Sequence, residues 1–160
     1  MAEAAASTEP PPWWAAFPAP KAKTPEIEAD EVMVLLEAQL AAENDTARRD
    51  FLLVDVRRND FEGGTIATSI NLPAQSLYQT RPIIHQLCKQ AGIKRVIFYC
   101  GSSNGRGPRS ANWLQDYFDE VGETGIQSVI LKGGIKGWVR KYGGRMMDSY
   151  DERAWVDAAK

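Results

Sequence analysis

The chain has 160 residues, of which 44% are hydrophobic and 25% charged, with a formal net charge of −2. That is enough apolar material to build one domain of ordinary size, and the near-balance of charge excludes a general electrostatic pull toward nucleic acid or an anionic membrane. The two cysteines, Cys88 and Cys100, are too few for a disulfide framework and too irregularly spaced for a zinc site, which points to a reducing compartment.

Residues 1–24, MAEAAASTEPPPWWAAFPAPKAKT, are rich in alanine and proline, and the prolines rule out a continuous helix. The segment holds Glu3 and Glu9 and no arginine, unlike a mitochondrial transit peptide, and it lacks the apolar centre of a secretory signal. A disordered tail is expected to about residue 11. Trp13, Trp14 and Phe17 are expected to fold back on the domain as an aromatic arm rather than stand in water, with a partner-binding peptide as the alternative.

The folded domain is expected over 25–145, followed by a C-terminal segment, 146–160. Ile27, Val32, Leu35, Leu36 and Leu40 follow helical spacing to about Glu43, with Asp30 as N-cap. After a polar connection (44–50), the run FLLVDV from Phe51 to Val56 reads as a buried strand. Residues 59–69 are loop-like, and Ile70 to Leu72 form a short strand stopped by Pro73. Ile83, Ile84, Leu87, Cys88 and Ala91 share one helical face that Gly92 ends. RVIFY (Arg95 to Tyr99) is a second buried strand, residues 109–121 form a helix burying Trp113, Leu114, Tyr117 and Val121, and SVIL (Ser128 to Leu131) is a third strand. A Gly133-Gly134 turn and an amphipathic segment around Trp138 follow. Strands alternating with helices predict an α/β domain, a mostly parallel sheet with helices on both faces. No apolar run approaches the roughly 20 residues that span a bilayer.

Reactive chemistry concentrates where RVIFY meets the next helix, in Cys100-Gly101-Ser102-Ser103-Asn104-Gly105-Arg106-Gly107-Pro108-Arg109. In open α/β sheets ligands sit beyond the carboxyl ends of strands. Gly101, Gly105 and Gly107 let main-chain N–H groups turn inward on an anion. Pro108 suits the first turn of a helix, whose N-terminus adds partial positive charge. Arg106 offers a planar fork of donors that matches a tetrahedral oxyanion. A thiolate at Cys100 gains from each of these donors and is a nucleophile at neutral pH. Gly101, Ser102, Ser103, Asn104 and Gly105 are therefore the candidate oxyanion-binding residues, although Ser102 and Ser103 also suit a tight turn without touching substrate.

Around this loop the readings divide. Asp55 either positions the loop from behind or simply pairs with Arg57, and Arg109 either approaches substrate or forms a surface ion pair. Cys88 is read as a core residue. His85, the single histidine, is expected to be exposed and without an acid–base partner. No metal-ligand spacing occurs, so no metal and no bound cofactor are expected.

Four segments together resemble the rhodanese-fold family, in the branch of cell-cycle dual-specificity phosphatases and fungal arsenate reductases: LLVDVR (52–57), GGTIATSINLP (63–73), FYCGSSNGRGPRSA (98–111) and LKGGIKGW (131–138). The resemblance implies a rhodanese-like fold and a Cys100 nucleophile. Cys100 to Arg106 spans seven positions, the length the resemblance assigns to the phosphatase and arsenate reductase branch rather than to the shorter-looped sulfur-transferring members. It implies an arsenate reductase, a phosphomonoester phosphatase, or both, acting on a small oxyanion or a phosphorylated substrate. For arsenate an external thiol, glutathione with glutaredoxin, would complete the cycle. A cytoplasmic setting, with nuclear access as well, fits this chemistry. The chain departs from the phosphatase pattern at Tyr99 (histidine there), Gly105 (glutamate), and Thr65 and Thr68 (histidine and glycine). No general acid is identifiable. The alternatives are sulfur transfer from thiosulfate through a Cys100 persulfide, and a non-catalytic phosphate-binding module.

Overall fold

Five strands form one all-parallel sheet in the computed structural model, which describes residues 10–42 and 49–156. They are β1 (Glu26–Ile27), β2 (Phe51–Asp55), β4 (Ile70–Asn71), β5 (Arg95–Tyr99) and β6 (Gln127–Leu131), in the order β1-β6-β5-β2-β4. Residues 1–9 and 43–48 lie outside the described residues, and with them most of the expected tail and the expected helix end at Glu43. Leu53 pairs with Ile97 and Ile97 with Val129, so the register aligns apolar residues across the three central strands.

Because successive side chains of a strand point to opposite faces, the sheet builds two cores. Val54, Val96 and Phe98 face α2 (Ala74–Ala91) and α3 (Arg106–Val121). Leu53, Ile97, Tyr99 and Val129 face α1 (Ala29–Ala41) and α4 (Gly134–Tyr142). The expected α/β architecture, with helices on both faces, is what the chain forms.

Several boundaries differ from expectation for identifiable reasons. The N-cap of α1 is Glu28, and Asp30 lies inside the first turn, where its carboxylate pairs with Lys141 and Tyr142. Ile27 belongs to β1, and Leu40 is exposed. Helix α2 continues through Pro82, and the Tyr78 carbonyl that the proline cannot satisfy accepts a hydrogen bond from Arg81 Nε at 2.8 Å. Ile83 and Leu87 are exposed while Ile84 and Cys88 are buried, so the apolar face of α2 is wider than the sheet covers. On α3, Phe118 rather than Val121 completes the buried stripe, since Val121 lies in the last turn, past the edge of the core.

Both ends of the described chain fold onto the domain. A two-stranded antiparallel ladder joins β3 (Thr65–Ile66) to β7 (Met147–Asp148). Beyond it Trp155 is buried and donates Nε1 to the Gly63 carbonyl at 2.8 Å. At the other end, Trp13–Ala16 forms a 3₁₀ turn, and the following residues run along α3. Asp116 accepts the N–H groups of Lys21 and Ala22 at 2.8 and 2.7 Å, Asn112 accepts that of Thr24 at 2.9 Å, and Trp113 Nε1 donates to the Pro18 carbonyl at 2.8 Å. No helix among the described residues is long and apolar enough to cross a membrane.

Candidate active site

The end of β5 brings Cys100 against the beginning of α3. The Gly107 N–H donates to Cys100 Sγ at 3.3 Å, so a helix-terminal amide without an intrahelical acceptor is committed to the sulfur. The helix start packs closely on the loop: a Cβ on Gly107 would lie 3.4 Å from the Cys100 nitrogen and from Ser103 Oγ, at the edge of ordinary van der Waals contact. Between them the loop reverses at Ser103, which is buried and left-handed with φ 59°. The loop carbonyls are tied on the opposite side to the N-terminus of α4, where Ile135 N–H donates to Cys100 O at 3.0 Å and Lys136 N–H to Gly101 O at 2.9 Å. Gly134 permits this approach, because a Cβ there would stand 2.5 Å from the Cys100 carbonyl oxygen.

Cys100 as a whole residue is buried, but it lines an open cavity of about 180 Å³ together with Ser102, Gly105, Arg106, Arg109, Trp13 and Trp14. Gly101 and Ser103 are buried in the loop, whereas Asn104 and Gly105 are exposed at its rim. Arg109 lies over the Trp14 ring, 4.4 Å from its centroid, and so joins the cavity wall rather than a surface ion pair.

Arg106 is not free in solvent. Its Nη1 and Nη2 donate to Asp60 Oδ1 and Oδ2 at 2.7 and 2.6 Å. These bonds hold the Asp60 carboxyl at about 2, below its ordinary 3.8, against the opposing effect of partial burial. Both terminal nitrogens are engaged end-on, which leaves the Nε edge of the guanidinium for a second anion. Asp60 is absent from the sequence reading: it is one acid among several in a polar loop, and nothing local distinguishes it.

The loop that carries Asp60 is itself fastened from below. Arg57 and Asp55 are fully buried and paired at 2.8 Å, and Arg57 also donates to the carbonyls of Asp60, Glu62 and Gly64 at 3.2, 3.1 and 2.7 Å. Asp55 thus pairs with Arg57, and the pair fastens the loop that carries Asp60 rather than the Cys100 loop itself. A carboxylate paired with a guanidinium only accepts, so Thr65 Oγ1 donates to Asp55 Oδ2 at 2.8 Å and must accept from Tyr99 OH at 2.7 Å. Tyr99 OH accepts in turn from Ser69 Oγ at 2.6 Å and Ile66 N–H at 3.2 Å. Burial and the nearby Asp55 charge push the Tyr99 hydroxyl far up, which keeps it a donor. Thr65 and Tyr99, both departures from the family pattern, thus complete one hydrogen-bond network. Thr68, another of the four departures, is left-handed with φ 70°, a conformation that suits the glycine it replaces better than a β-branched residue.

His85 differs from expectation. It is largely buried and pairs through Nε2 with Glu123 Oε1 at 2.7 Å, which holds the Glu123 carboxyl below its usual range. It packs on Tyr117 and Phe118, about three turns along α3 from Gly107 and far from the sulfur. Cys88 is buried and its thiol is pushed up to about 11 by desolvation, the behaviour of a core residue. A second cavity of about 400 Å³, lined by Asp60, Gly101, Lys136 and Trp155, opens beside the Arg106–Asp60 pair but does not include Cys100. Among the described residues no cluster of side chains is suited to a metal ion.

Comparison with known proteins agrees with this architecture. The rhodanese-like domain family matches residues 36–141. The chain belongs to the rhodanese-like family. It is 31% identical over 115 residues to arsenical-resistance protein 2 of Saccharomyces cerevisiae, covering 67% of this chain and 88% of that one. A CDC25-like phosphatase of the same yeast is 35% identical over 106 residues, covering 61% and 72% of the two chains. Among solved rhodanese folds, a yeast protein tyrosine phosphatase superposes with a TM-score of 0.65 at 27% identity, over 84% of this chain and 99% of that one. The arsenic–antimony reductase of Leishmania major gives 0.67 at 22% identity, over 78% of this chain and 84% of that one, which concerns the fold alone.

Proposed function

We propose that this rhodanese-family chain is a cysteine-dependent oxyanion enzyme, an arsenate reductase, a phosphomonoester phosphatase, or both. The observation that carries the reading is the Gly107 N–H on Cys100 Sγ at the start of α3. It sets a helix-terminal donor on the sulfur at the floor of a cavity that Arg106 and Arg109 line. The anion would take the free Nε edge of Arg106 and the amides of Gly101 to Gly105, with Asp60 holding the guanidinium from its other end. Relatives named for arsenical resistance and for phosphatase activity support oxyanion chemistry over sulfur transfer or a silent binding module.

With a phosphomonoester, the Cys100 thiolate attacks phosphorus, an S–P bond forms as the ester P–O bond breaks, and water then hydrolyses the phosphocysteine to phosphate and free thiolate. With arsenate, the thiolate attacks As(V) and an arsenic-bound oxygen leaves as water. An external thiolate then attacks the Cys100 sulfur and the S–As electron pair stays on arsenic, which passes from +5 to +3. The mixed disulfide is released by a second thiol. We assign the external thiol to glutathione, with glutaredoxin as its relay, in a cytoplasmic or nuclear setting.

None of the cavity-lining residues is a carboxylic acid or a histidine, so leaving groups that depart without protonation are favoured. Replacing Cys100 with serine should abolish both aryl-phosphate hydrolysis and glutathione-dependent arsenate reduction. Retained activity in that variant, or turnover of thiosulfate and cyanide with none on arsenate or phosphate esters, overturns the reading.

A further inference from the structure

The Cys100 cavity has a wall that the family motifs do not supply. Its lining residues beyond the loop and α3 are Trp13 and Trp14, from a segment that lies outside the matched residues 36–141. The arm is not held there by the indole of Trp14. It is fastened along α3 by the Asp116, Asn112 and Trp113 hydrogen bonds, and by Trp13 and Phe17 set edge-on to Trp113 with centroids 5.9 and 5.7 Å away. Trp14 remains 38% exposed. Arg109 covers one part of its ring at 4.4 Å, and the Trp13 ring stands against it at 5.7 Å and 87°, so its orientation is fixed from two sides.

A large aromatic side chain, pre-positioned and left partly in water beside a candidate nucleophile, is suited to contact with a second flat ring. The cavity is small, about 180 Å³, and its charged lining is cationic, Arg106 and Arg109. A ligand with a dianionic head and a planar aromatic body fits that division: the head on the loop and arginines, the ring along the indoles. The lack of a proton donor in the lining selects in the same direction, because an aryloxide leaves unprotonated far more readily than an alkoxide.

We propose that the Trp13–Trp14 arm is a specificity wall that selects aryl esters of a tetrahedral oxyanion, phosphotyrosine-like in chemistry, with Trp14 as the determining residue. This rests on the oxyanion-enzyme reading and adds the substrate class. The wall contributes binding to an aryl ester that inorganic arsenate, having no ring, does not receive. Removing Trp14 therefore changes the ratio of the two activities.

The test compares the full-length protein with its Trp14→Ala and Trp14→Phe variants. For each, kcat/KM is measured with p-nitrophenyl phosphate, with a phosphotyrosyl peptide (the small-molecule and protein sources of the same ester) and with arsenate plus glutathione. In Trp14→Ala the aryl-to-arsenate ratio should fall threefold to tenfold for at least one aryl source, and Trp14→Phe should restore it. A fall of less than threefold for both sources, or a fall that phenylalanine does not restore, overturns the proposal. Calorimetric titration with phenylphosphonate and methylphosphonate separates it from failure of the underlying reading, since binding needs no turnover. The native protein should bind the phenyl compound at least threefold more tightly and lose that preference in Trp14→Ala. Should no substrate be turned over while this preference holds, the enzymatic reading fails and the wall stands; equal binding of the two phosphonates overturns the wall whatever the turnover.

Discussion

Asp60 grips Arg106 by both of its terminal nitrogens, at 2.7 and 2.6 Å, and so decides which edge of the guanidinium an incoming anion meets. Replacing Asp60 with asparagine leaves one acceptor and no charge, and Arg106 loses its fixed orientation. A fall in kcat/KM of about tenfold is expected, with the larger share in KM, because the guanidinium must be reordered on each binding event. Steady-state kinetics with p-nitrophenyl phosphate checks it.

The same pair makes a statement about pH. Asp60 titrates at about 2, below its ordinary 3.8, so its contribution is complete above roughly pH 4–5 and is lost only as pH falls through 2. It is therefore ionised throughout the range in which such an enzyme works and cannot donate a proton. The pH profile of kcat between 5 and 8 should have the same shape in Asp60→Asn as in the native protein. A shifted acid limb would contradict this.

Gly134 faces the Cys100 and Gly101 carbonyls at a distance that leaves no room for a methyl group. Gly134→Ala should destabilise the domain by on the order of 2–3 kcal/mol, from steric overlap plus the left-handed φ, and should displace the loop enough to suppress activity. Gly92→Ala is the control: φ is left-handed there too, 73° against 60° at Gly134, but nothing lies within 4 Å. It should cost about 1–2 kcal/mol and spare turnover. Urea unfolding and a turnover assay on both variants separate strain from collision.

The hydroxyl of Tyr99 serves Thr65, Ser69 and the Ile66 N–H at once. Tyr99→Phe should lower stability by about 1–3 kcal/mol, since buried groups are left without partners. In a double-mutant cycle with Thr65→Val the two losses should fall short of additive by about 1 kcal/mol. Additive losses would mean that the two residues act separately.

Trp155 is buried under the Gly63 turn and donates to its carbonyl. Trp155→Ala should cost about 3–5 kcal/mol. Because the Gly63 turn adjoins the segment that Arg57 staples, KM for oxyanion substrates should rise as well. Thermal denaturation and kinetics on the variant test both parts.

What could be read in the sequence was what local order encodes. A buried-type strand, a thiol, spaced glycines, an arginine and a proline-started helix follow one another within fifteen residues or so, and the folded chain keeps that order from Arg95 to Val121. Periodicity also located the central strands. It misassigned Val121, because a helical stripe does not say where the facing sheet ends, and Ile83 and Leu87, because it does not say how wide the covering layer is. Asp30 has the composition of an N-cap and is used as an ion-pair partner for α4 instead. Asp60 and the His85–Glu123 pair were illegible for a different reason: their partners lie 46 and 38 residues away in the chain, and only the tertiary fold brings them together. The Tyr99–Thr65 pairing is of the same kind, two departures from a pattern that make sense only jointly.

The cavity wall comes from residues 13 and 14, and the loop behind Arg106 is closed down by residue 155. A site that draws on residues 13, 14, 100 and 155 is complete only once Trp155 has joined the fold. Cys100 is synthesised about 55 residues ahead of Trp155, whose indole caps the Gly63 turn. Until then the Gly63 turn is uncapped, and the loop that presents Asp60 to Arg106 lacks its final support.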